Sequence, residues 1–178
     1  SALYNNTTAS ANTALGHYAL YDNTTGAANT AVGNAAMHNT TTGSKNTAIG
    51  YFVMSENTTG SYNTSMGNSS LIYNTSGQNN TTIGYKALYS NTTGGNNSAS
   101  GTESLYGNTT GGNGVALGYR ALYSSQTEDN LTAIGYEASR SNTTGTGIVS
   151  IGYQSLYSNT TGEYNQALGF QALYSNIT

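Results

Sequence analysis

At 178 residues the chain has the length of one ordinary domain, but only 6% of its residues are charged and its formal net charge is −3. Four Lys/Arg cannot form the basic stripe that nucleic acid requires, no apolar run approaches the roughly 18 residues of a membrane span, and the absence of cysteine excludes disulfides and thiol chemistry. Sixteen tyrosines and no proline separate the chain from disordered polar sequences.

Glycine supplies a ruler. It stands at Gly16, Gly33, Gly50, Gly67, Gly84, Gly101, Gly118, Gly135, Gly152 and Gly169, always 17 residues apart. Counted from Asn12, Asn29, Asn46, Asn63, Asn80, Asn97, Gly114, Leu131, Ile148 and Asn165, each unit approximates N-T-A-[ILV]-G-Y-x-A-L-Y-S-N-T-T-G-x-x. Residues 1–178 thus form a single array of about ten and a half units, starting and stopping mid-unit. Loops in globular domains tolerate length changes; a stack of coils in register does not. The unit is shorter than the helical-hairpin repeats, which exceed about thirty residues, and its glycines disfavour helix. An all-β parallel β-solenoid with 17-residue coils follows.

Along the unit, β-segments are expected at positions 1–5 and 6–10, closed by a turn at 11–15. Position 4 carries Leu15, Val32, Ile49, Met66, Ile83, Leu117, Ile134, Ile151 and Leu168, interrupted by Ser100. Position 9 carries Leu20, Leu71, Leu88, Leu105, Leu122, Leu156 and Leu173, with Met37 and Met54 among them. Both columns are expected to point inward as the core ladder. Two large aliphatics per coil make a thin interior. Either tyrosines are buried too, or several chains share one core, and a homotrimer would supply both.

Tyrosine forms its own columns, at position 6 (Tyr51, Tyr85, Tyr119, Tyr136, Tyr153) and position 10 (Tyr4, Tyr21, Tyr89, Tyr106, Tyr123, Tyr157, Tyr174). Stacked rings with wet hydroxyls suit either a seam between chains or a carbohydrate-binding strip, the seam being preferred.

The Asn-Thr-Thr-Gly corner has the turn chemistry that closes a coil. Like residues stacked about 4.8 Å apart can also form Asn and Thr ladders. The corner asparagines Asn6, Asn23, Asn57, Asn74, Asn91, Asn108, Asn142, Asn159 and Asn176 lie in Asn-x-Ser/Thr sequons, and 17 such sequons occur in the chain. They are candidate N-glycosylation sites on an edge expected to be exposed. The threonines raise a lesser alternative, an ice-binding array, but adjacent threonines on an extended segment point to opposite sides.

N-T-A-I-G at Asn46 to Gly50, A-L-G-Y-R-A-L-Y at Ala116 to Tyr123 and I-G-Y-Q-S-L-Y at Ile151 to Tyr157 resemble repeats of phage and bacterial tail-fibre proteins. They are more loosely similar to the head repeats of trimeric autotransporter adhesins. The resemblance spans essentially the whole chain. It implies a trimeric β-roll or β-helix serving as shaft or adhesive surface, at the cell surface, outside the cell or on a virion.

No repeated His/Asp relation activates a serine or threonine, so no enzyme, metal or cofactor is expected. His17 and His38 occupy tyrosine positions in different units. Glu128–Asp129, in the one degenerate turn, is expected to be a solvated loop rather than a calcium site. The expected role is structural, a segment of a longer extracellular or virion fibre. Its partners are copies of itself, as a homotrimer or end to end, and surface glycans are the other candidate; nucleic acid and membrane insertion are excluded. A carbohydrate-binding adhesin head is the alternative.

Overall fold

A computed structural model describes all 178 residues. The chain is all-β: ten three-residue strands joined by 17-residue coils into a parallel β-solenoid. The strands are β1 (Thr13–Leu15), β2 (Thr30–Val32), β3 (Thr47–Ile49), β4 (Thr64–Met66) and β5 (Thr81–Ile83), followed by β6 (Ser98–Ser100), β7 (Val115–Leu117), β8 (Thr132–Ile134), β9 (Val149–Ile151) and β10 (Gln166–Leu168). They form one sheet in chain order, each residue paired with the one a full coil away, as in Ala31 with Ala48. The constant period is what this register demands.

Only unit positions 2–4 are strand. The expected second β-segment at positions 6–10 is instead a run of turns, because positions 7 and 9 are left-handed: Lys86 has φ 53° and Leu88 φ 51°. Position 17 is also left-handed, and four of its occupants in succession are asparagines, Asn79, Asn96, Asn113 and Asn130. The turns are nevertheless stitched to their neighbours as continuously as the strands. Only 18 of the 115 backbone hydrogen bonds lie within strands; elsewhere Leu88 N donates to Ser104 O, Ser90 N to Tyr106 O and Thr92 N to Thr109 O.

Strand alternation decides what is inside. Position 3 faces inward and is small: Ala31, Ala48, Ala99, Ala116 and Ala133 are buried. Position 4 must then face outward, which corrects half of the expected core ladder. Leu15, Ile49, Met66, Ile83, Leu117 and Leu168 are exposed, and Val32, Ile134 and Ile151 are half-buried. The interior aliphatics come from position 9, where Leu20, Leu71, Leu88, Leu105, Leu122 and Leu156 are fully or almost fully buried; Leu173, in the last coil, is exposed. Alanines at position 8 pack beside them. Where a hydroxyl replaces alanine it is satisfied inside: Ser70 donates to Thr82 at 2.8 Å, and Thr82 to Ser65 at 2.7 Å.

Glycine at position 5 is imposed twice. Its φ is near +135°, as at Gly135 and Gly152, and a Cβ there would overlap the carbonyl of the next coil's glycine.

Candidate functional site

Three longitudinal features could carry function: the corner asparagines, the outward sheet face and the aromatic columns.

The corner asparagines are inside. Asn23, Asn57, Asn74, Asn91, Asn108, Asn142 and Asn159 are buried, and the terminal Asn6 and Asn176 are half-buried, which overturns the expectation of an exposed edge. Each Nδ2 is committed. Asn91 donates to Asn74 Oδ1 at 2.8 Å and to Gly94 O at 3.0 Å, and Asn108 repeats this with Asn91 and Gly111. A second ladder at position 1 converges on the same glycine carbonyls, as where Asn80 Nδ2 reaches Gly94 O at 2.9 Å. The nitrogen that would carry a glycan is therefore the one that holds the corner. A Cβ on Gly94 would meet the Gly111 carbonyl and the Asn91 amide, so the corner needs glycine for space. Where position 1 turns apolar, Leu131 and Ile148 are buried in place of the second ladder.

The threonines flanking the corner divide their roles. Position 13 hydroxyls are spent between coils, Thr75 Oγ1 donating to Thr92 O and Thr92 Oγ1 to Thr109 O at 3.0 Å each. Position 14 forms one exposed column, including Thr42, Thr59 and Thr93. At the corner, therefore, only the position 14 column is free, and it does not form a flat two-column array with position 13.

The degenerate turn folds inward. Glu128 replaces the corner glycine and is buried; its Oε2 accepts from Ser125 Oγ, Gln126 N and Thr127 N, and its Oε1 from Thr127 Oγ1. Burial pushes its carboxyl up, but the amides of Gln126 and Thr127 and the Thr127 hydroxyl together pull it below the ordinary carboxylate range. Asp129 accepts from Gly112 N. With Ser125 at the corner asparagine's position, the Glu128 carboxylate takes over the work of holding this turn.

The outward sheet face carries an aliphatic column at position 4, broken at Ser100, beside the mostly polar position 2. Ile49, Met66, Ile83 and Leu117 are 38–47% exposed in one column, between position 2 and the position 6 aromatics.

The aromatic columns are stacked. Tyr89, Tyr106 and Tyr123 follow one another with centroids 5.0 and 5.1 Å apart and planes within 9°. Tyr136, Tyr153 and Phe170 do the same at position 6, with centroids 5.1 and 5.3 Å apart. Desolvation, then the charge of Glu137 and the phenols of Tyr119 and Tyr153, push the Tyr136 phenol above its ordinary range.

Position 7, which the sequence alone did not mark, runs between the two columns. The Arg120 guanidinium lies 5.0 Å from the Tyr119 ring and 5.2 Å from that of Tyr123 while pairing with Glu103 at 2.6 Å. Its signal was available: Lys86, Glu103, Arg120 and Glu137 share that position, so four of the chain's few charges fall in one column.

In these stacks each ring face is covered by the next ring. What remains for solvent is edge and hydroxyl, a poor surface for sugar. The pattern fails in the early coils, where His17 and Asn34 take position 6, Ala35 takes position 7 and His38 takes position 10. There the rings of Tyr18, Tyr21 and His38 meet at angles, and a cavity of about 570 Å³ opens.

No known protein family, curated protein or solved structure matches the chain.

Proposed function

We propose that the chain is a shaft segment of an extracellular or virion fibre, acting structurally rather than as an enzyme and assembled from parallel copies of itself as a homotrimer. The observation that carries this reading is the outward position 4 column. A soluble protein rarely leaves a long aliphatic strip unpartnered, and such strips mark protein interfaces. A surface that repeats with every coil, about 4.8 Å apart, finds its best complement in a surface with the same repeat, which is another copy of this chain. The tyrosines of position 6 border the strip and supply the aromatic rim favoured at interfaces. The resemblance to tail-fibre repeats supports the same arrangement.

The test is sedimentation velocity on the wild-type chain and on the double variant Ile83→Asp/Leu117→Asp. Both side chains point away from the core, so the coils remain folded. A trimer that falls to monomer in the variant supports the reading. A wild-type monomer would sink it.

A further inference from the structure

We propose that the interruption of the aromatic columns in the first three coils is a carbohydrate-binding slot that takes one pyranose ring between Tyr18 and Phe52. Tyr18, Ala35 and Phe52 occupy position 7 of three successive units. The outer two bring aromatic rings, and the middle one brings only a methyl group, buried at the cavity floor. Tyr18 and Phe52 are the only rings at position 7, and they stand two coils apart with a gap between them. At about 4.8 Å per coil the two rings stand on the order of 10 Å apart, and a ring inserted midway would sit near the 4.5–7 Å separation at which aromatic faces stack.

Ring faces are available here that the regular stacks do not offer. Along Tyr89, Tyr106 and Tyr123, and again along Tyr136, Tyr153 and Phe170, every interior face is occupied by a parallel neighbour. Neither Tyr18 nor Phe52 has a parallel ring on it: Tyr18 is tilted 46° to His17 at 3.8 Å and meets His38 at 61° and Tyr21 at 88°, and Phe52 is tilted 57° to Tyr51. The cavity's volume of about 570 Å³ falls within the range of small-molecule sites.

The chemistry of the walls selects the ligand class. A pyranose has an apolar C–H face, suited to an aromatic ring, and an equatorial rim of hydroxyls that both donate and accept. Here aromatic faces are combined with the Asn34 amide and the imidazoles of His17 and His38, which offer donors and acceptors of the same dual kind. Neither Lys, Arg, Asp nor Glu lines the cavity, so a neutral sugar fits better than a charged ligand. A folded but monomeric array still presents the slot, so a failed sedimentation test leaves it standing, although its position 6 walls, His17, Asn34 and Tyr51, lie at the rim of the proposed interface.

Saturation-transfer NMR tests it with the full chain and four probes: the methyl glycosides of glucose, galactose, mannose and N-acetylglucosamine. At least one should receive saturation on its C–H face protons. Ala35→Phe fills the gap with a third ring and should cut that transfer at least fivefold. Phe52 already sits at the equivalent position with φ 51° against 52° for Ala35, so the variant folds on the same backbone. Tyr18→Ser, which removes one wall, should cut it similarly. Tyr106→Ser, in an intact stack, should leave it unchanged. No transfer to any of the four glycosides overturns the proposal, as does transfer that survives both Ala35→Phe and Tyr18→Ser.

Discussion

Asn74 donates one side-chain amide hydrogen to Oδ1 of Asn57, 17 residues earlier, at 2.6 Å, and the other to the carbonyl of Gly77 at 3.0 Å. The same group therefore closes its own corner and ties that corner to the one below. Removing it orphans Asn57 Oδ1 in the coil below and takes from Asn91 the Oδ1 its amide reaches at 2.8 Å, while the Gly77 carbonyl keeps Asn63. Asn74→Ala should cost about 2–4 kcal/mol in urea unfolding, from one buried acceptor and one buried donor hydrogen left without partners.

The ladder has one natural fault, and repairing it should stabilise. Thr40 stands where the other early coils have asparagine; its Oγ1 and the Oδ1 of Asn23 are both buried without a partner. Thr40→Asn supplies a donor to Asn23 and a second donor to the Gly43 carbonyl, which now has only Asn29. A gain of about 1–2 kcal/mol is expected in the same assay.

Glu128 gives the array an acid-sensitive corner. Its folded carboxyl titrates below the unfolded value, so its stabilisation is complete above the unfolded value, roughly pH 4.3. It is lost as pH falls through the lower folded value. Urea midpoints measured from pH 7 to 3 should fall for the wild type. Glu128→Gln should begin lower at pH 7 and lose less across that range.

Backbone handedness offers two opposite tests. Gly135 has φ +136°, and a Cβ there would overlap the Gly152 carbonyl; Gly135→Ala should cost on the order of 3 kcal/mol or more. Ala28 is exposed with φ 57° at position 17, where four later units use asparagine. Ala28→Asn should gain about 0.5–1 kcal/mol, since asparagine tolerates this region better. Thermal unfolding of the two variants, followed by circular dichroism, reads both signs.

Lateral assembly through the position 4 strip should resist salt, because positions 2 and 4 carry no formal charge in any unit. Raising sodium chloride from about 0.05 to 0.5 M screens exposed charges and should leave the sedimentation coefficient unchanged. Dissociation under that change would assign the contact to ion pairs instead.

The period was legible because glycine is imposed at two places per coil, by handedness at Gly135 and by space at Gly94. The choice of strand face was not. Ile83 reads as core, yet strand alternation puts the smaller Thr82 inside and turns the larger aliphatic outward. The buried asparagines were equally opaque. Asn91 reads as a surface turn residue and a sequon until the residues one coil away are placed against it. The aromatic slot needs three units overlaid, since Ala35 means nothing except as an absence between Tyr18 and Phe52.

Registration of each residue with its equivalent one coil away has a genetic corollary. Adding or removing a whole coil preserves every pairing on either side of the join, whereas a single-residue insertion would leave one corner without its asparagine and one strand facing the wrong way. Gain or loss of whole repeats would thus lengthen or shorten this protein in folded steps. Its size is a quantity that can drift by integers without passing through a misfolded form.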